Sequence, residues 1–389
     1  MRVRQDTTIS PWEWLPVAAT LLLAAFWLLS GGDSTSGRLA LFICLGLAPG
    51  SIVRLSGRSG WSIHRIGIAA ALIAFMLNNP RLRPDAAALA KISEHWRLVA
   101  LGVLIAFLQP VFGAFRLRRL LTDSGVVISF FQTLKLCLAG SFFNIFLPGA
   151  TGGDVYRVYT IASGEKKRLG AAVASVSLDR LLGLPPMVFI IIVAEALDYR
   201  FAFGNERLAK LSTFIAIAAV ACLGLMIFLW RSSRQYRRNG TGHRPAGRFA
   251  RIRNLMAAHL SRPSTLPATL AQGLFSHIAV IAACALFARA LGVEGIPPLR
   301  FFLLVPLVMA VNSIPGAPGG LGQGEIAMAA ILDLAAPGFN NAPAGVVVML
   351  LLRLSNIGIG LAGGMAYATG KVGFRDIESE MATMRIEAD

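Results

Sequence analysis

Two arginines stand inside long apolar stretches of the chain, where a charged side chain is costly. Arg180 lies in the run 171–194, and Arg353 lies in the run 342–369. An arginine at the centre of a membrane span costs about 2.5 to 3.5 kcal/mol on insertion scales, so such residues usually face a cavity or a partner. One alone could reach the membrane surface with its long side chain. Two at matching positions indicate a functional role, and a guanidinium suits a phosphate or carboxylate ligand.

Acidic residues follow glycine-rich segments upstream of both arginines. Asp154 comes directly after Gly152 and Gly153, and Arg157 follows three residues later; Glu325 has the corresponding place in the second half. On a helix, positions 154 and 157 share a face. One interpretation is helix capping, because acids favour the first turn. The other is a phosphate site formed by the free amides of the helix starts together with Arg157.

The same short pattern, an Asn shortly before Pro-Gly-Ala-x-Gly-Gly, occurs twice at the ends of apolar runs. Proline removes a backbone donor and glycine weakens a helix, so each copy predicts a helix break. Irregular backbone at membrane depth is tolerated only where it is buried in protein or lines a watery cavity, and a matched pair of breaks marks a candidate transporter site. The candidate substrate-binding residues are Asn144, Asp154, Arg157, Arg180, Asn312, Glu325 and Arg353. The candidate backbone residues are Pro148, Gly149, Gly152, Gly153, Pro315, Gly316, Gly319, Gly320 and Gly322.

The composition indicates a membrane protein. The 389 residues are 55% hydrophobic and 15% charged, with a mean hydropathy of +0.64, which lies outside the soluble range. The net charge of +17 sits in loops between apolar runs, with no nucleic-acid-binding module, so no nucleic acid partner is expected. The cysteines and histidines show neither CxxC nor metal-ligand spacing, so we expect no metal site, no cofactor and no catalytic residue among them.

The lengths of the apolar runs predict an all-α polytopic membrane protein, since about 20 apolar residues span the hydrocarbon. Eight transmembrane helices are predicted, at 11–30, 38–54, 63–79, 97–115, 171–194, 208–230, 266–291 and 342–369. Two further runs, 126–147 and 299–314, stop at the Pro-Gly motifs. We interpret them as the descending arms of two re-entrant helical hairpins.

Basic residues predict the orientation. The loop 231–262 carries many arginines and no acid, so it is placed in the cytoplasm. Counting crossings from it puts the N-terminus and the tail 371–389 inside, in a cytoplasmic (inner) membrane. The loop holding Arg116, Arg118 and Arg119 is then also inside. Three crossings separate the hairpins, so they enter from opposite faces and form an inverted repeat.

With these motifs assembled, the chain resembles the lysylphosphatidylglycerol synthase transmembrane (flippase-like) family. The family patterns are N-x-x-x-P-G-x-x-G-G-D-x-x-R from Asn144 to Arg157, an arginine-glycine motif at Arg180 and Gly183, and P-G-x-x-G-G-x-G-x-x-E ending at Glu325. The resemblance covers 61–370 and leaves 1–60 as an additional N-terminal transmembrane hairpin. It implies a membrane domain linked to moving lipids between leaflets. Full-length relatives continue into a soluble lysyltransferase, and we expect no synthase activity from a chain that ends at Asp389 without it.

The resemblance favours a translocase for a phospholipid or related polar lipid, with membrane lipids as partners. A homo-oligomer or a separate biosynthetic enzyme is left open as a further partner. One alternative is an integral-membrane transferase acting on a lipid-linked substrate, with Asp154 or Glu325 as general base. Another is a non-catalytic membrane partner that docks through the basic loop 231–262.

Overall fold

The computed structural model describes most of the region that carries the paired motifs. The described residues are 61–84, 86–146, 152–163, 168–217, 264–313 and 317–368, with some isolated positions between 39 and 51 and at 220, 224 and 231. The predicted hairpin within 1–60, the end of the span 208–230, the basic loop and the tail 371–389 fall largely or wholly outside them.

Helices make up the described part of the chain, and no strand occurs within it. In chain order the helices are α1 (Trp61–Asn78), α2 (Ala86–Glu94), α3 (Trp96–Ala106), α4 (Leu108–Asp123), α5 (Phe130–Phe146), α6 (Gly152–Ala162), α7 (Leu169–Leu181), α8 (Leu184–Leu197), α9 (Tyr199–Gly204), α10 (Thr265–Ala290), α11 (Phe301–Asn312), α12 (Gln323–Ala335) and α13 (Ala342–Ala368). Residues 206–217 are helical as well.

Four described helical runs are long and apolar enough to cross a membrane, so the chain is a multi-pass membrane protein. They are Trp96–Asp123, Leu169–Leu197, Thr265–Ala290 and Ala342–Met365, and they coincide with four of the eight predicted spans. The first run extends beyond the predicted end at residue 115, because Arg116, Arg118 and Arg119 continue helix α4. Shorter apolar helices occupy Ile66–Asn78 and Pro298–Asn312.

Helices end and restart on either side of both Pro-Gly motifs. Helix α5 ends at Phe146 and α6 starts at Gly152. In the second copy, α11 ends at Asn312 and α12 starts at Gln323. Residues 147–151 and 314–316, which include Pro148, Gly149, Pro315 and Gly316, lie outside the described residues. Gly319, Gly320 and Gly322 have φ angles of 57°, 69° and 79°, a left-handed backbone that favours glycine.

The two motif-bearing halves, helices α5–α8 and helices α11–α13, pack against each other in a reciprocal way. Helix α5 of the first half packs along α13 of the second, and α11 of the second half packs against α8 of the first. At Gly363 the two helices lie so close that a Cβ would collide with the backbone of Leu138. The helices therefore approach backbone to backbone, which only glycine permits at this position.

Hydrogen bonds show which helix ends lie together. Arg119 donates to the Ser264 hydroxyl at 2.7 Å, so α4 ends where α10 begins; we call this the Ser264 end. Lys91 donates to the Leu291 carbonyl at 3.2 Å, so the segment before α3 lies where α10 finishes; we call this the Leu291 end. The span Trp96–Asp123 and helix α10 are thus antiparallel.

The helices that lead into the two motifs start from opposite ends of this antiparallel pair. Helix α5 follows closely after α4, at the Ser264 end. Helix α11 follows closely after α10, at the Leu291 end, where Arg300 donates to Asp198 at 2.8 Å. The segment after α12 also lies at the Leu291 end, where Asn341 donates to the carbonyl of Glu294 at 2.9 Å.

Candidate functional site

A cavity of about 580 Å³ lies between the two halves. Side chains from both Pro-Gly motifs and from the spans that follow them line it together. Those named by the sequence analysis are Asn144, Arg157, Arg180, Asn312, Gly319 and Arg353. The lining also contains further polar residues, namely Gln109, Arg116, Ser141, Asp179, Ser276 and Asn356. The structure therefore gathers residues that are more than 200 positions apart in sequence at one site.

Asp154 is the acid of the first half, and it binds two arginines. It is the third residue of α6, and its carboxylate accepts two hydrogen bonds from Arg180, at 2.9 Å from Nε and 2.8 Å from Nη2. Arg157 Nη1 donates to the same carboxylate at 3.2 Å. The Arg180 side chain remains 52% exposed, so it faces the cavity while Asp154 binds it from the other side. A two-point bond of this kind fixes the orientation of the guanidinium plane.

Glu325 repeats this arrangement in the second half. It is the third residue of α12, and it accepts hydrogen bonds from Arg353 Nε at 2.5 Å and Nη2 at 3.1 Å. Arg353 also donates to the carbonyls of Gly319 and Gly320, at 2.9 and 3.0 Å. Glu325 is only 1% exposed, so this pair is the more deeply buried of the two. The span arginine thereby connects the acid to the backbone of the broken segment.

Each motif asparagine lies against glycines that follow the Pro-Gly pair of its motif. Gly153 N donates to Asn144 Oδ1 at 2.9 Å, which closes the gap between α5 and α6. In the second half, a Cβ at Gly320 would collide with the Asn312 amide, and one at Gly324 would lie 2.8 Å from its Oδ1. Glycine is therefore needed in both copies for the asparagine to reach the following helix.

One ion pair at the cavity was missed by the sequence analysis. Arg116 Nε donates to Asp179 Oδ1 at 2.6 Å, and both side chains are largely buried. The basic cluster around Arg116 predicted a cytoplasmic loop, but the structure places this residue in α4. The available signal was Asp179 itself, because an acid inside a span needs a partner. Several basic residues could have filled that role, so spacing alone did not select Arg116.

An apolar groove of about 400 Å³ lies beside the cavity. Helices α3 and α13 form its walls, with Leu104, Phe107, Leu354 and Gly358 among the lining residues. Ile359 lines both the groove and the cavity. Leu104 and Leu354 are strongly exposed, which is typical of a surface that faces lipid. Helix α13 thus places an arginine toward the cavity and apolar side chains toward the groove.

The arrangement suits the binding of an anionic group more than a reaction. Guanidinium groups with several donors match phosphate and carboxylate oxygens. The carboxylates of Asp154 and Glu325 each accept two hydrogen bonds from an arginine, which leaves them poorly placed to remove a proton from a substrate. Within the described residues, no group of His, Cys, Asp and Glu side chains could hold a metal ion.

Comparison with known families gives a single informative result. The family described as "Lysylphosphatidylglycerol synthase TM region" matches residues 62–364, the main body of the chain. No curated protein and no solved structure matches the chain. The matched range contains both Pro-Gly motifs, the span arginines and the whole cavity lining.

Proposed function

Because the chain belongs to the lysylphosphatidylglycerol synthase transmembrane family, with residues 62–364 matched, we propose that it is a lipid translocase. It moves a phospholipid or a related polar lipid between the leaflets of the membrane. The lipid headgroup occupies the cavity between the two halves, and Arg157, Arg180 and Arg353 bind its phosphate.

The observation that carries this proposal is the joining of a polar cavity to an apolar groove. A lipid needs both environments at once, because its headgroup keeps polar partners while its chains stay in hydrocarbon. Helix α13 offers Arg353 and Asn356 to the cavity and Leu354 and Gly358 to the groove. Ile359 lies where the two meet. This continuity favours a lipid over a soluble substrate.

The same geometry favours translocation over the transferase alternative. A transferase would use Asp154 or Glu325 as general base, and the base must be free to accept a proton from the reacting group. Both acids are instead bound by span arginines through two hydrogen bonds each.

Replacement of Arg180 tests the translocase proposal. In proteoliposomes, the Arg180→Ala chain is expected to exchange a fluorescent phospholipid between leaflets about 10 to 100 times more slowly, because it loses charge-assisted hydrogen bonds to the headgroup. Dithionite quenching of the outer leaflet measures the rate. Arg207→Ala is the matched control, since Arg207 is exposed and lies outside the cavity lining. Exchange by Arg180→Ala at the rate of the unchanged chain would contradict the assignment of the cavity as the headgroup site.

We further propose that the two hairpins enter the membrane from opposite faces as an inverted repeat, within a fold of eight spans. The start of α5 at the Ser264 end and of α11 at the Leu291 end supports this arrangement. The basic loop 231–262 precedes the Ser264 end, which supports a cytoplasmic location for that end and for both termini in the inner membrane. Alternating exposure of the cavity then follows from rocking of one half against the other.

Single cysteines test the inverted arrangement. Val127 precedes the first hairpin and Leu299 precedes the second, and both side chains are exposed. In a cysteine-free background on intact cells, a membrane-impermeant maleimide is expected to label cysteine at 299 and to label cysteine at 127 only after lysis. Labelling of both positions from the same side would remove the alternating-access part of the proposal while the family membership stands.

A further inference from the structure

The acidic side chains at the cavity are already engaged by arginines. Asp179 accepts from Arg116 at 2.6 Å, and Glu325 accepts from Arg353 at 2.5 Å. Asp154 accepts two bonds from Arg180, at 2.9 and 2.8 Å. Each of these carboxylates therefore has its own guanidinium, and none is left open toward a cationic ligand.

Arg157 is the arginine that remains after these pairs are formed. Its Nη1 donates at 3.2 Å to Asp154 Oδ1, which Arg180 also binds. Its Nη2 donates to the Cys137 carbonyl through a long bond of 3.4 Å. Its Nε is buried and finds no hydrogen-bond partner among the described residues. Arg157 is only 9% exposed and lines the cavity. A buried charge with incomplete pairing is costly, and an anion placed beside it removes that cost.

The charges of the described residues at the cavity give the same result when counted. Four guanidinium groups line the cavity, those of Arg116, Arg157, Arg180 and Arg353. The carboxylates bound to them are those of Asp154, Asp179 and Glu325. The difference is one positive charge. Arg157 is buried, so its charge is weakly screened and favours a ligand of the opposite sign.

We infer that the cavity selects lipids whose headgroup carries a net negative charge, with the headgroup phosphate beside Arg157, over zwitterionic and cationic lipids. The inference rests on the proposed translocase function and narrows its substrate class. An aminoacylated headgroup with net positive charge is disfavoured, because it would bring an ammonium group to a site whose carboxylates are all bound to arginine.

Three lipids with identical acyl chains and the same fluorophore test the inference on the unchanged chain. Phosphatidylglycerol is expected to exchange between leaflets about tenfold faster than phosphatidylcholine, and lysylphosphatidylglycerol is expected to be the slowest. Equal rates for the three, or fastest exchange of the lysyl lipid, would overturn the inference and leave translocation intact. No exchange of any of the three would instead overturn the proposed function.

Variants at position 157 assign the preference to this residue. Arg157→Gln is expected to bring the phosphatidylglycerol and phosphatidylcholine rates to within about twofold of each other, whereas Arg157→Lys keeps the order because the charge remains. A preference that persists unchanged in folded, monodisperse Arg157→Gln would contradict the role of Arg157. Uptake of labelled inorganic phosphate into the same vesicles separates a free anion from a headgroup. Phosphate uptake without lipid exchange would overturn the lipid assignment.

Discussion

Glu325→Gln is expected to destabilise the protein by about 3 to 5 kcal/mol, because removing one partner of a buried ion pair leaves the other charge unpaired. Glu325 is 1% exposed, and it accepts two of the four hydrogen bonds that Arg353 donates. Glutamine keeps the size of the side chain, so the loss reports the charge and not a cavity. Thermal unfolding of the detergent-solubilised chain measures it, as a lowered melting temperature.

An exposed ion pair of the same chain provides the control. Glu206 accepts from Lys210 at 2.6 Å, but its side chain is 81% exposed. Glu206→Gln is therefore expected to leave the melting temperature unchanged, since exposed pairs contribute little. A melting temperature of Glu325→Gln equal to that of Glu206→Gln would show that the buried pair is not required for stability.

A double variant separates the structural role of this pair from its role in function. Replacing both partners, as in Glu325→Gln with Arg353→Met, removes the unpaired charge and is expected to recover much of the lost stability. Leaflet exchange should stay low in the double variant, because methionine at position 353 offers no hydrogen-bond donor to the cavity. If the double variant recovers both stability and leaflet exchange, the Glu325–Arg353 pair is needed for folding and not for lipid binding.

Local sequence signals predicted much of the fold. Apolar length identified four spans that the structure also has, because burial in hydrocarbon depends on composition within one segment. Proline and glycine predicted that one helix ends before each motif and another begins after it, as α5 and α6 and as α11 and α12 do, because both residues weaken a helix. The number of eight spans and the re-entrant insertion of the hairpins stay predictions.

Tertiary pairing was the part that sequence could not determine. The sequence indicated only a phosphate or a carboxylate as the partner of Arg180, and the structure pairs it with Asp154. The choice depends on how α6 and α7 pack, and no spacing rule encodes that contact. The same reason explains why the position of Arg116 was predicted incorrectly. Its basic neighbours suggested a loop, but Arg116 lies in a helix, where Asp179 of another helix neutralises its charge. Lys91 likewise contacts the carbonyl of Leu291, and its charge suits a helix C-terminus.

Gly363→Ala and Gly358→Ala are expected to change stability in opposite directions, although both glycines lie on α13. A Cβ at Gly363 would overlap the backbone of Leu138 on α5, so the two helices would have to separate along their contact. A Cβ at Gly358 meets nothing within 4 Å. Alanine there removes only the entropic cost of a helical glycine, about 0.5 to 1 kcal/mol, and should stabilise slightly.

The α5–α13 contact joins the first half to the second, so its loss should disturb the cavity as well as the fold. Helix α5 carries Asn144 and α13 carries Arg353, and both line the cavity. Gly363→Ala is therefore expected to lower the melting temperature by more than any exposed substitution and to slow leaflet exchange in whatever protein remains folded. Gly358→Ala should not lower the melting temperature, because a Cβ there meets nothing within 4 Å. If Gly363→Ala melts like Gly358→Ala and exchanges lipid like the unchanged chain, the halves do not depend on this close approach.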